Sequence, residues 1–514
     1  MKTGFCHADG AMIRDIDGKP LVFRGVGIGG WFLIEGYMIR SYGKLDRPRR
    51  LKDHIISLVD SDYADYFFDQ WQRRFFTAQD VSWLAGQGFN MIRVAIDYQV
   101  FFEPSETEAT LKPIESNFLR LDDIIRACSQ VGVYVILDLH AAPGGQTGTN
   151  IDNSQNDHPD LFTKRHYQDQ TIYVWETFAK RYKNEPTIAA YDLLNEPLPE
   201  WFAHYYDQVM PFYRRLIRAI RAIDPHHMIS IEGVHWSTDW SIFEAIEDTN
   251  ILLQFHKYWN APDQESIQHY LNIGLDFNLP IFMGEGGENN LPWLSAAFKL
   301  YTQNTISYAF WAYKKMAAHN AMMSFKKPEQ WSALLEGKLS KREAKSVLDA
   351  LLDAIRFDQT LPQVEVANAL LNRVPFTCPA YAFDYEGENR SFHRMKFHLS
   401  SLRHHDGLNI TNIEGAVVPP VFKHMNGESP KTADVLVLRL ISGEWVTYTF
   451  HVSRNQSCVA IEIQTLGALK AHVTVNDVLH HHKSGRLMVE KPRRTNTLRI
   501  QATDHVVLKN IVFT

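Results

Sequence analysis

The feature that most constrains the fold is a repeated alternation of two kinds of segment through the first 355 or so residues. Short apolar runs suit buried strands, and the longer stretches between them repeat apolar residues every three or four positions, as amphipathic helices do. The predicted strands cover residues 21–28, 89–96, 134–140, 189–196, 228–233, 251–258, 280–287 and 307–313. Helices are predicted over residues 116–131, 161–183, 201–223 and 266–278.

Eight strand–helix units are typical of a closed (β/α)8 TIM barrel of the α/β class. An open doubly wound sheet is the alternative, but no GxGxxG follows the first predicted strand in the context that a dinucleotide site requires. We therefore predict a barrel over residues 1–356, with residues 338–353 as its last helix.

From about residue 361 the pattern changes to short apolar runs separated by polar turns, which is typical of an antiparallel β-sandwich. The runs cover residues 435–440, 445–452, 458–463, 471–475, 497–502 and 506–513. No Gly/Ser-rich or Pro-rich linker precedes them, so we expect a sandwich over residues 357–514 that packs on the barrel.

Charge and composition exclude several function classes. The chain has 53 Lys and Arg against 59 Asp and Glu, so its formal net charge of −6 gives no electrostatic basis for binding nucleic acid or an anionic membrane. Four cysteines without CxxC spacing make a structural zinc site unexpected.

The chain contains no run of about 20 apolar residues that could span a membrane. Residues 1–10 are polar and lack the apolar core of a signal peptide, so we expect a cytosolic protein or one whose leader was removed.

The ends of the predicted strands carry polar and aromatic residues where Val, Ile, Ala or Gly would be ordinary. In a TIM barrel the carboxyl ends of the strands build the active site. These residues are Arg93, His140, Asn195, Glu196, His256, Tyr258, Glu285 and Trp311. Two glutamates facing each other across a barrel mouth suit cleavage of a glycosidic bond, in which one is an acid and the other a base or nucleophile. The alternative is that Asn-Glu-Pro only ends a strand and that Arg93 only pairs with a buried acid.

Six motifs, in order over about 300 residues, resemble glycoside hydrolase family 5 in clan A of the retaining barrel glycosidases. They are Arg24-Gly-Val-Gly-Ile-Gly-Gly-Trp31, Gly88-Phe-Asn-Met-Ile-Arg93, Leu137-Asp-Leu-His140, Leu-Leu-Asn195-Glu196-Pro197, His256-Lys-Tyr258 and Phe-Met-Gly284-Glu285. The stretch from His140 through Gly144-Gly145, with Asn153-Ser later, is similar to the exo-β-1,3-glucanase branch. The family's usual strand-1 asparagine is replaced by Gly27 or Ile28, which leaves the sugar contacts of that strand open.

The resemblance implies hydrolysis of β-glucosidic bonds by double displacement, with no cofactor and no metal. Glu196 would be the general acid and base, and Glu285 the nucleophile that Arg93 keeps ionised. Asn195 would hydrogen-bond the sugar 2-hydroxyl. The full set of supporting residues that the resemblance implies is Arg93, His140, Asn195, His256, Tyr258, Trp311 and Trp31.

Long insertions after the first and third predicted strands, at residues 29–76 and 141–160, favour a pocket closed at one end. We therefore expect an exo-acting β-1,3-glucanase whose substrate is an oligo- or polysaccharide. Separately, we expect the protein to be a monomer. The alternatives are an endo-β-1,4-glucanase or an arabinofuranosidase-like enzyme. An inactive carbohydrate-binding barrel is disfavoured because Glu196 and Glu285 are intact. The sandwich resembles family 6-like carbohydrate-binding modules, and Trp445 in it suits packing or ligand contact.

Overall fold

The computed structural model describes residues 4–104 and 111–514, so the first three residues of the polar N-terminal stretch lie outside it. The chain forms two compact units. The first consists of Met1–Lys257, Asn272–Gly286 and Ser307–Pro362. The second consists of Tyr258–Leu271, Gly287–Ile306 and Gln363–Thr514.

Eight parallel strands, β1 to β8, close into a barrel in chain order. They are β1 Arg24–Phe32, β2 Met91–Asp97, β3 Tyr134–Ala141, β4 Ile188–Asp192, β5 Met228–Glu232, β6 Ile251–His256, β7 Ile281–Gly287 and β8 Ser307–Trp311. The predicted TIM barrel is confirmed, and each predicted strand overlaps an observed one. β4 ends four residues before Glu196, earlier than predicted, because the next residues bond irregularly to neighbouring strands: Leu193 N–H donates to Ser230 O and Asn195 N–H to Leu139 O, both across 3.1 Å.

Ten α-helices of eight or more residues, α1 to α10, are described. They are α1 Pro48–Leu58, α2 Ser61–Arg74, α3 Ala78–Gln87, α4 Glu115–Val131, α5 Arg165–Tyr182, α6 Val209–Arg221, α7 Gln268–Phe277, α8 Leu291–Gln303, α9 Lys341–Ala354 and α10 Val364–Leu371. A 3-10 helix, Glu200–Gln208, replaces the start of the predicted helix over 201–223 and is kinked at Phe202. The insertion predicted as a loop after β1 contains α1 and α2. Within the described ranges, no helix has the length and apolarity that crossing a bilayer requires.

The amino-terminal ends of the barrel strands close the barrel with an apolar core. The fully buried side chains there come from every strand or its leading residue: Phe23, Met91, Ile136, Ala189, Ala190, Met228, Leu252, Phe282 and Ala309. Full burial of one of the larger side chains in this set, such as Phe23 or Leu252, stabilises a fold by about 1.5–3 kcal/mol. The acidic residues Glu232 and Glu285 and the histidines His140 and His256 lie at or near the opposite, carboxyl-terminal end.

The second unit contains two antiparallel sheets, which confirms the predicted sandwich architecture. Its strands are β9 Phe376–Pro379, β10 Phe392–His393, β11 Asn409–Asn412, β12 Leu436–Leu440, β13 Trp445–His451, β14 Cys458–Thr465, β15 Ala471–Val475, β16 Val478–His480, β17 Arg486–Glu490, β18 Thr495–Ala502 and β19 Val506–Phe513. One sheet has the order β11-β12-β19-β14-β17, with β9 also paired to β19, and the other has the order β10-β13-β18-β15-β16. Phe450 and Phe513, one from each sheet, pack with ring centroids 4.6 Å apart.

Helix α8 belongs to this second unit and is fixed by polar contacts. Asn290 caps it by accepting a hydrogen bond from Trp293 N–H at 3.0 Å. Lys299, only 5% exposed, donates through Nζ to Ala382 O at 3.0 Å and lies 3.5 Å from Asp384. A buried ammonium group needs such partners, because an unpaired charge away from water is costly.

Candidate active site

Arg93 is the central cation of the barrel mouth. It projects from β2, is fully buried, and its guanidinium contacts carboxylates from four other strands. Nη1 donates to Glu285 Oε1 at 2.6 Å and lies 3.2 Å from Asp138 Oδ2, while Nε donates to Asp192 Oδ2 at 2.8 Å and Nη2 to Glu232 Oε1 at 3.0 Å. Burial lowers the pKa of Arg93, but the four carboxylates raise it by more than burial lowers it. The pKa therefore lies well above its ordinary value. Arg93 is therefore permanently charged.

Glu285 and Glu196 reach the mouth from different positions in the barrel. Glu285 lies in β7 opposite His256 of β6, where the strand register shifts after Phe255. Glu196 follows β4 with a left-handed backbone (φ 48°), a conformation that costs about 1–2 kcal/mol for a residue with a side chain. Its N–H donates to Glu232 Oε2 at 2.7 Å, which holds the backbone in place.

The two glutamates are close together, and His256 lies between them. One carboxylate oxygen of each and one ring nitrogen of His256 all lie within 4.8 Å of one another. His256 Nδ1 donates to Glu196 Oε1 at 2.8 Å and is 3.9 Å from Glu285 Oε2. Burial lowers the pKa of His256, yet the charges of Glu232 and Glu285 and the hydrogen bond to Glu196 raise it well above its ordinary value.

The environments of the two glutamates differ. Burial raises the pKa of Glu196, the negative Glu285 and Glu232 raise it further, and His256 partly opposes them. Glu285 is paired directly with the Arg93 guanidinium, which stabilises its negative charge. The site therefore holds one carboxyl group whose pKa is raised mainly by burial, Glu196, beside one that is bonded to the Arg93 guanidinium, Glu285.

His140 and Asn195 form a second hydrogen-bonded pair on Arg93. Asn195 Oδ1 accepts from Arg93 Nη2 at 2.9 Å, so its amide nitrogen faces His140 Nε2 at 3.1 Å. The ring nitrogen Nε2 must then accept, and Nδ1 donates to Asp138 Oδ2 at 2.7 Å. The predicted residues Arg93, His140 and Asn195 are thus brought together in one network.

Trp311 lies at the end of β8 and stacks on His140, with centroids 5.2 Å apart and planes inclined by 6°. Its indole N–H donates to the Tyr37 hydroxyl at 2.8 Å. A Cβ atom on Gly27 would lie 2.4 Å from the Trp311 ring, and one on Gly29 would lie 2.6 Å from it. Gly27, one of the two positions given for the departure from the family pattern, and Gly29 therefore provide the space that this indole occupies.

Of two further predicted residues, Trp31 lies away from the mouth, and the site role of Tyr258 stays a prediction. Trp31 is 2% exposed, stacks on Phe32 and donates its indole N–H to Gln72 O at 2.7 Å, so it packs within the first unit rather than at the mouth. Tyr258 follows β6, is half-buried and belongs to the second unit, with Trp259 as its ring neighbour at 5.7 Å.

Sequence reasoning missed four buried polar residues that complete the site. They are Asp138, Asp192, Glu232 and Gln254. Gln254 donates to Glu232 and accepts from Ser230 Oγ at 2.8 Å, and a Cβ on Gly284 would lie 2.2 Å from its amide. Burial raises the pKa of Asp192 well above its usual range, and the charges of Glu232 and Asp138 add to this, against the pull of Arg93. The available signal was a polar residue inside an otherwise apolar strand.

Two groups of side chains could in principle offer three ligand atoms to a metal ion. They are Asp138, His140 and Glu285, and Glu196, His256 and Glu285. In the first group the Arg93 guanidinium already contacts both carboxylates, at 2.6 and 3.2 Å. In the second, His256 Nδ1 already carries the hydrogen bond to Glu196. We therefore assign no metal to either group.

The chain is similar to known proteins over half of its length or less. It is 32% identical over 257 residues to a β-xylosidase of Phanerodontia chrysosporium, covering 49% of this chain and 52% of that protein. It is 27% identical over 262 residues to a probable glucan 1,3-β-glucosidase A of Aspergillus fumigatus, covering 50% and 59%. It is 30% identical over 196 residues to a glucan 1,3-β-glucosidase of Lachancea kluyveri, covering 36% and 44%. The chain thus spans about half the length of the curated relatives it matches.

Residues 59–317 match the Cellulase family (glycosyl hydrolase family 5). This range is half of the 514-residue chain. It includes β2 to β8 and therefore Arg93, Glu196 and Glu285. The closed parallel barrel and the order of its motifs agree with this match. The chain belongs to glycosyl hydrolase family 5.

Proposed function

We propose that this protein is a retaining glycoside hydrolase that cleaves β-glucosidic bonds of glucans, with Glu196 as acid and base and Glu285 as nucleophile. The observation that carries the proposal is the unequal pairing of two adjacent carboxyl groups, one bonded to Arg93 and one not. Their oxygens approach within 4.8 Å. Retaining enzymes hold their carboxyl groups about 5–5.5 Å apart, whereas inverting enzymes need about 6.5–9.5 Å to admit a water molecule.

In the first step Glu285 attacks the anomeric carbon and forms a glycosyl ester. The bond to the leaving-group oxygen breaks, and Glu196 transfers its proton to that oxygen. The raised pKa of Glu196, caused mainly by burial, keeps the proton available. Arg93 stabilises the Glu285 carboxylate before the attack and holds Oε1 in place through its hydrogen bond.

In the second step water attacks the anomeric carbon while Glu196 accepts a proton from it, and the bond between that carbon and Glu285 breaks to regenerate the Glu285 carboxylate. Esterification removes the negative charge of Glu285, one of the charges that raise the pKa of Glu196. The pKa of Glu196 then falls, which suits its role as a base. The Asn195 amide, oriented by Arg93, has a second N–H available for the sugar 2-hydroxyl.

We propose exo-action on β-1,3-linked glucan ends. The names of two relatives, both glucan 1,3-β-glucosidases, support this substrate, as does the loop from His140 through Gly145. The indole of Trp201, 59% exposed and packed edge-on against Trp236 at 5.2 Å, offers a surface on which a sugar ring could stack. A β-xyloside is the second candidate substrate, supported by the relative named β-xylosidase.

In the sandwich, the role that we propose for Trp445 is packing. Trp445 is buried, and the Arg499 guanidinium lies 3.9 Å from its ring centroid. We infer that Trp445 packs within the second unit and does not contact carbohydrate.

A hydrolysis screen tests the proposed function. Wild type is incubated with 4-nitrophenyl β-glucoside, 4-nitrophenyl β-xyloside, the β-1,3-glucan laminarin and carboxymethyl cellulose, with the isosteric Glu285→Gln variant as the control. We expect early release of glucose from laminarin with slow loss of viscosity, and none from the variant. Rapid viscosity loss with a ladder of oligomers would contradict exo-action. Preference for the β-xyloside would favour the second candidate, and no cleavage of any substrate would contradict the proposal.

A further inference from the structure

The carboxylate of Glu232, which takes no part in the proposed reaction steps, is connected to both reacting glutamates. Glu232 ends β5 and is fully buried. Its Oε2 accepts a hydrogen bond from the Glu196 N–H at 2.7 Å. Its Oε1 accepts from Arg93 Nη2 at 3.0 Å and lies 3.4 Å from His256 Nε2. Because Arg93 contacts Glu285 and His256 contacts Glu196, Glu232 is linked to each reacting carboxyl group through one intervening side chain.

Glu232 is itself fixed by neighbours from β5, β6 and α6. The Tyr213 hydroxyl donates to Glu232 O at 3.1 Å and accepts from Glu232 N–H at 3.3 Å. Gln254 Nε2 donates to Glu232 Oε1, and Gln254 Oε1 accepts from Ser230 Oγ at 2.8 Å. A Cβ on Gly284 would lie 2.2 Å from Gln254 Nε2, so a glycine at that position leaves the room that this amide needs. The main chain and the side chain of Glu232 are therefore both held in place.

The hydrogen bond to Glu232 supports an unfavourable backbone conformation of Glu196. The φ of Glu196 is 48°, in the left-handed region that a residue with a side chain disfavours. Its buried N–H donates to a carboxylate, and a hydrogen bond to an ionised acceptor is stronger than one between neutral groups. Without this acceptor the N–H would be left unpaired, and the backbone would relax toward an ordinary φ. Because the backbone limits the rotamers of its side chain, the relaxation would redirect the Glu196 carboxyl group.

Asp192 separates this role from a general effect on Arg93. Asp192 is fully buried, as Glu232 is, and its Oδ2 accepts from Arg93 Nε at 2.8 Å. Within the part of the chain that the structure describes, however, Asp192 has no hydrogen bond or ion pair to Glu196. Glu232 and Asp192 therefore bond the same guanidinium but differ in their connection to Glu196.

We propose that Glu232 is a positioning residue that holds Glu196 in the orientation from which it delivers its proton to the leaving-group oxygen. This inference rests on the proposed function, in which Glu196 is the general acid. Glu232 does not need to touch the substrate, because both of its oxygens already accept hydrogen bonds from protein donors.

The basicity of the leaving group distinguishes this role from a merely structural one. 2,4-Dinitrophenolate is weakly basic and departs without a proton, whereas the more basic phenolate needs a proton from the general acid as it leaves. If Glu196 is misdirected, only the substrate that needs its proton reacts more slowly. A general loosening of the site would instead slow both substrates by the same factor, because attack by Glu285 is common to them.

Steady-state kinetics of full-length Glu232→Gln on phenyl β-glucoside and 2,4-dinitrophenyl β-glucoside test the proposal. The corresponding β-xylosides are used if the wild type prefers xylose. Arg93 and Gln254 both donate to Oε1, so the new amide keeps its oxygen there and turns its NH2 group toward the Glu196 N–H, which loses its acceptor. We expect kcat/KM for the phenyl glycoside to fall by about 100-fold and that for the dinitrophenyl glycoside to change by less than about threefold.

Two further variants complete the test. Asp192→Asn is the matched control, and its kcat/KM should change by one common factor for the two glycosides. Tyr213→Phe removes only the hydroxyl that holds the Glu232 backbone, and it should lower kcat/KM for the phenyl glycoside by about fivefold more than for the dinitrophenyl glycoside. It tests the role even where Glu232→Gln does not fold.

Equal factors for the two glycosides in a folded Glu232→Gln protein would overturn the inference and leave the proposed function standing. Where that variant does not fold, equal factors in Tyr213→Phe would overturn it in the same way. A wild type that cleaves neither the β-glucosides nor the β-xylosides would contradict the proposed function, and the inference would fall with it.

Discussion

Arg93 Nη1 donates to Glu285 Oε1 across 2.6 Å, in a site from which water is excluded around the guanidinium. The same guanidinium contacts Asp138, Asp192 and Glu232. One cation from β2 thus links carboxylates from β3, β4, β5 and β7. This arrangement orders the barrel mouth and gives Glu285, but not Glu196, a direct contact with the Arg93 guanidinium.

Arg93→Lys keeps the charge but replaces a planar fork of five donors with a single ammonium group. Loss of donors that position Glu285 and Asn195 should lower kcat/KM by about 100-fold, in line with removal of an organised donor from an active site. Steady-state kinetics on an aryl β-glycoside, with a melting curve for each protein, measure this. Arg24→Lys, an exposed arginine at the start of β1, is the control. Wild-type turnover in Arg93→Lys would contradict the assigned role.

His256→Gln should move the alkaline limb of the pH profile to higher pH. Burial raises the pKa of Glu196, Glu285 and Glu232 raise it further, and the hydrogen bond and charge of His256 lower it. A general acid loses activity as the pH rises through its pKa, and removal of the lowering partner raises that pKa. The dependence of kcat/KM on pH gives the shift, with the exposed His226→Gln as control. A limb that stays in place or moves to lower pH would show that His256 does not act on Glu196.

Gly27→Ala should displace Trp311. The added Cβ would lie 2.4 Å from the indole, closer than atoms can approach, and crowding of a packed site costs about 1–3 kcal/mol. We expect a lower melting temperature and weaker substrate binding, visible as a raised KM and altered tryptophan fluorescence. Gly86→Ala, in a helix with no atom within 4 Å of the new Cβ, is the control; it should leave KM and the fluorescence unchanged and should not lower the melting temperature, because alanine favours a helix more than glycine does. An unperturbed Trp311 signal in Gly27→Ala would argue against this packing.

The barrel and most of its mouth could be predicted from the sequence because both depend on local patterns. Each strand is a short apolar run, and a strand end that carries His140, Glu196 or Glu285 stands out against the apolar residues around it. Of the two strand-1 glycines, Gly27 was noticed only as a departure from the family pattern and Gly29 only as the start of an insertion. Their contact with Trp311 joins the first and last strands of the barrel, which no local pattern reveals.

The ring of carboxylates around Arg93 was missed for the same physical reason. Asp192 and Glu232 lie inside apolar strands, and only closure of the barrel brings them to Arg93, 99 and 139 residues away in sequence. Trp31 was placed at the mouth from its position in a motif, whereas its side chain lies on the packed face of β1. The membership of α8 in the second unit depends on contacts with residues such as Asp384, 85 positions after Lys299, which the order of elements along the chain does not show.

Asp384→Ala should destabilise the second unit. This buried carboxylate lies 3.5 Å from Lys299, accepts from Thr447 Oγ1 at 3.0 Å and accepts from Thr449 N–H at 2.9 Å. Removing one partner of a buried pair leaves the other charge uncompensated and costs about 3–5 kcal/mol. Urea unfolding followed by circular dichroism measures the loss. Asp504→Ala breaks the exposed pair with Lys470 and should leave the midpoint unchanged. Equal midpoints for the two variants would refute the difference.

Azide rescue of Glu285→Ala tests the central claim most directly, which is that Glu285 is the nucleophile of a retaining β-glycosidase. The variant is incubated with 2,4-dinitrophenyl β-glucoside and sodium azide, and the configuration of the glycosyl azide is read by NMR. Azide should enter the space left by the carboxylate and give the α-azide, while Glu196→Ala, in which Glu285 still forms the ester, should give the β-azide. A β-azide from Glu285→Ala, or no rescue in a variant that is folded, would contradict the assignment.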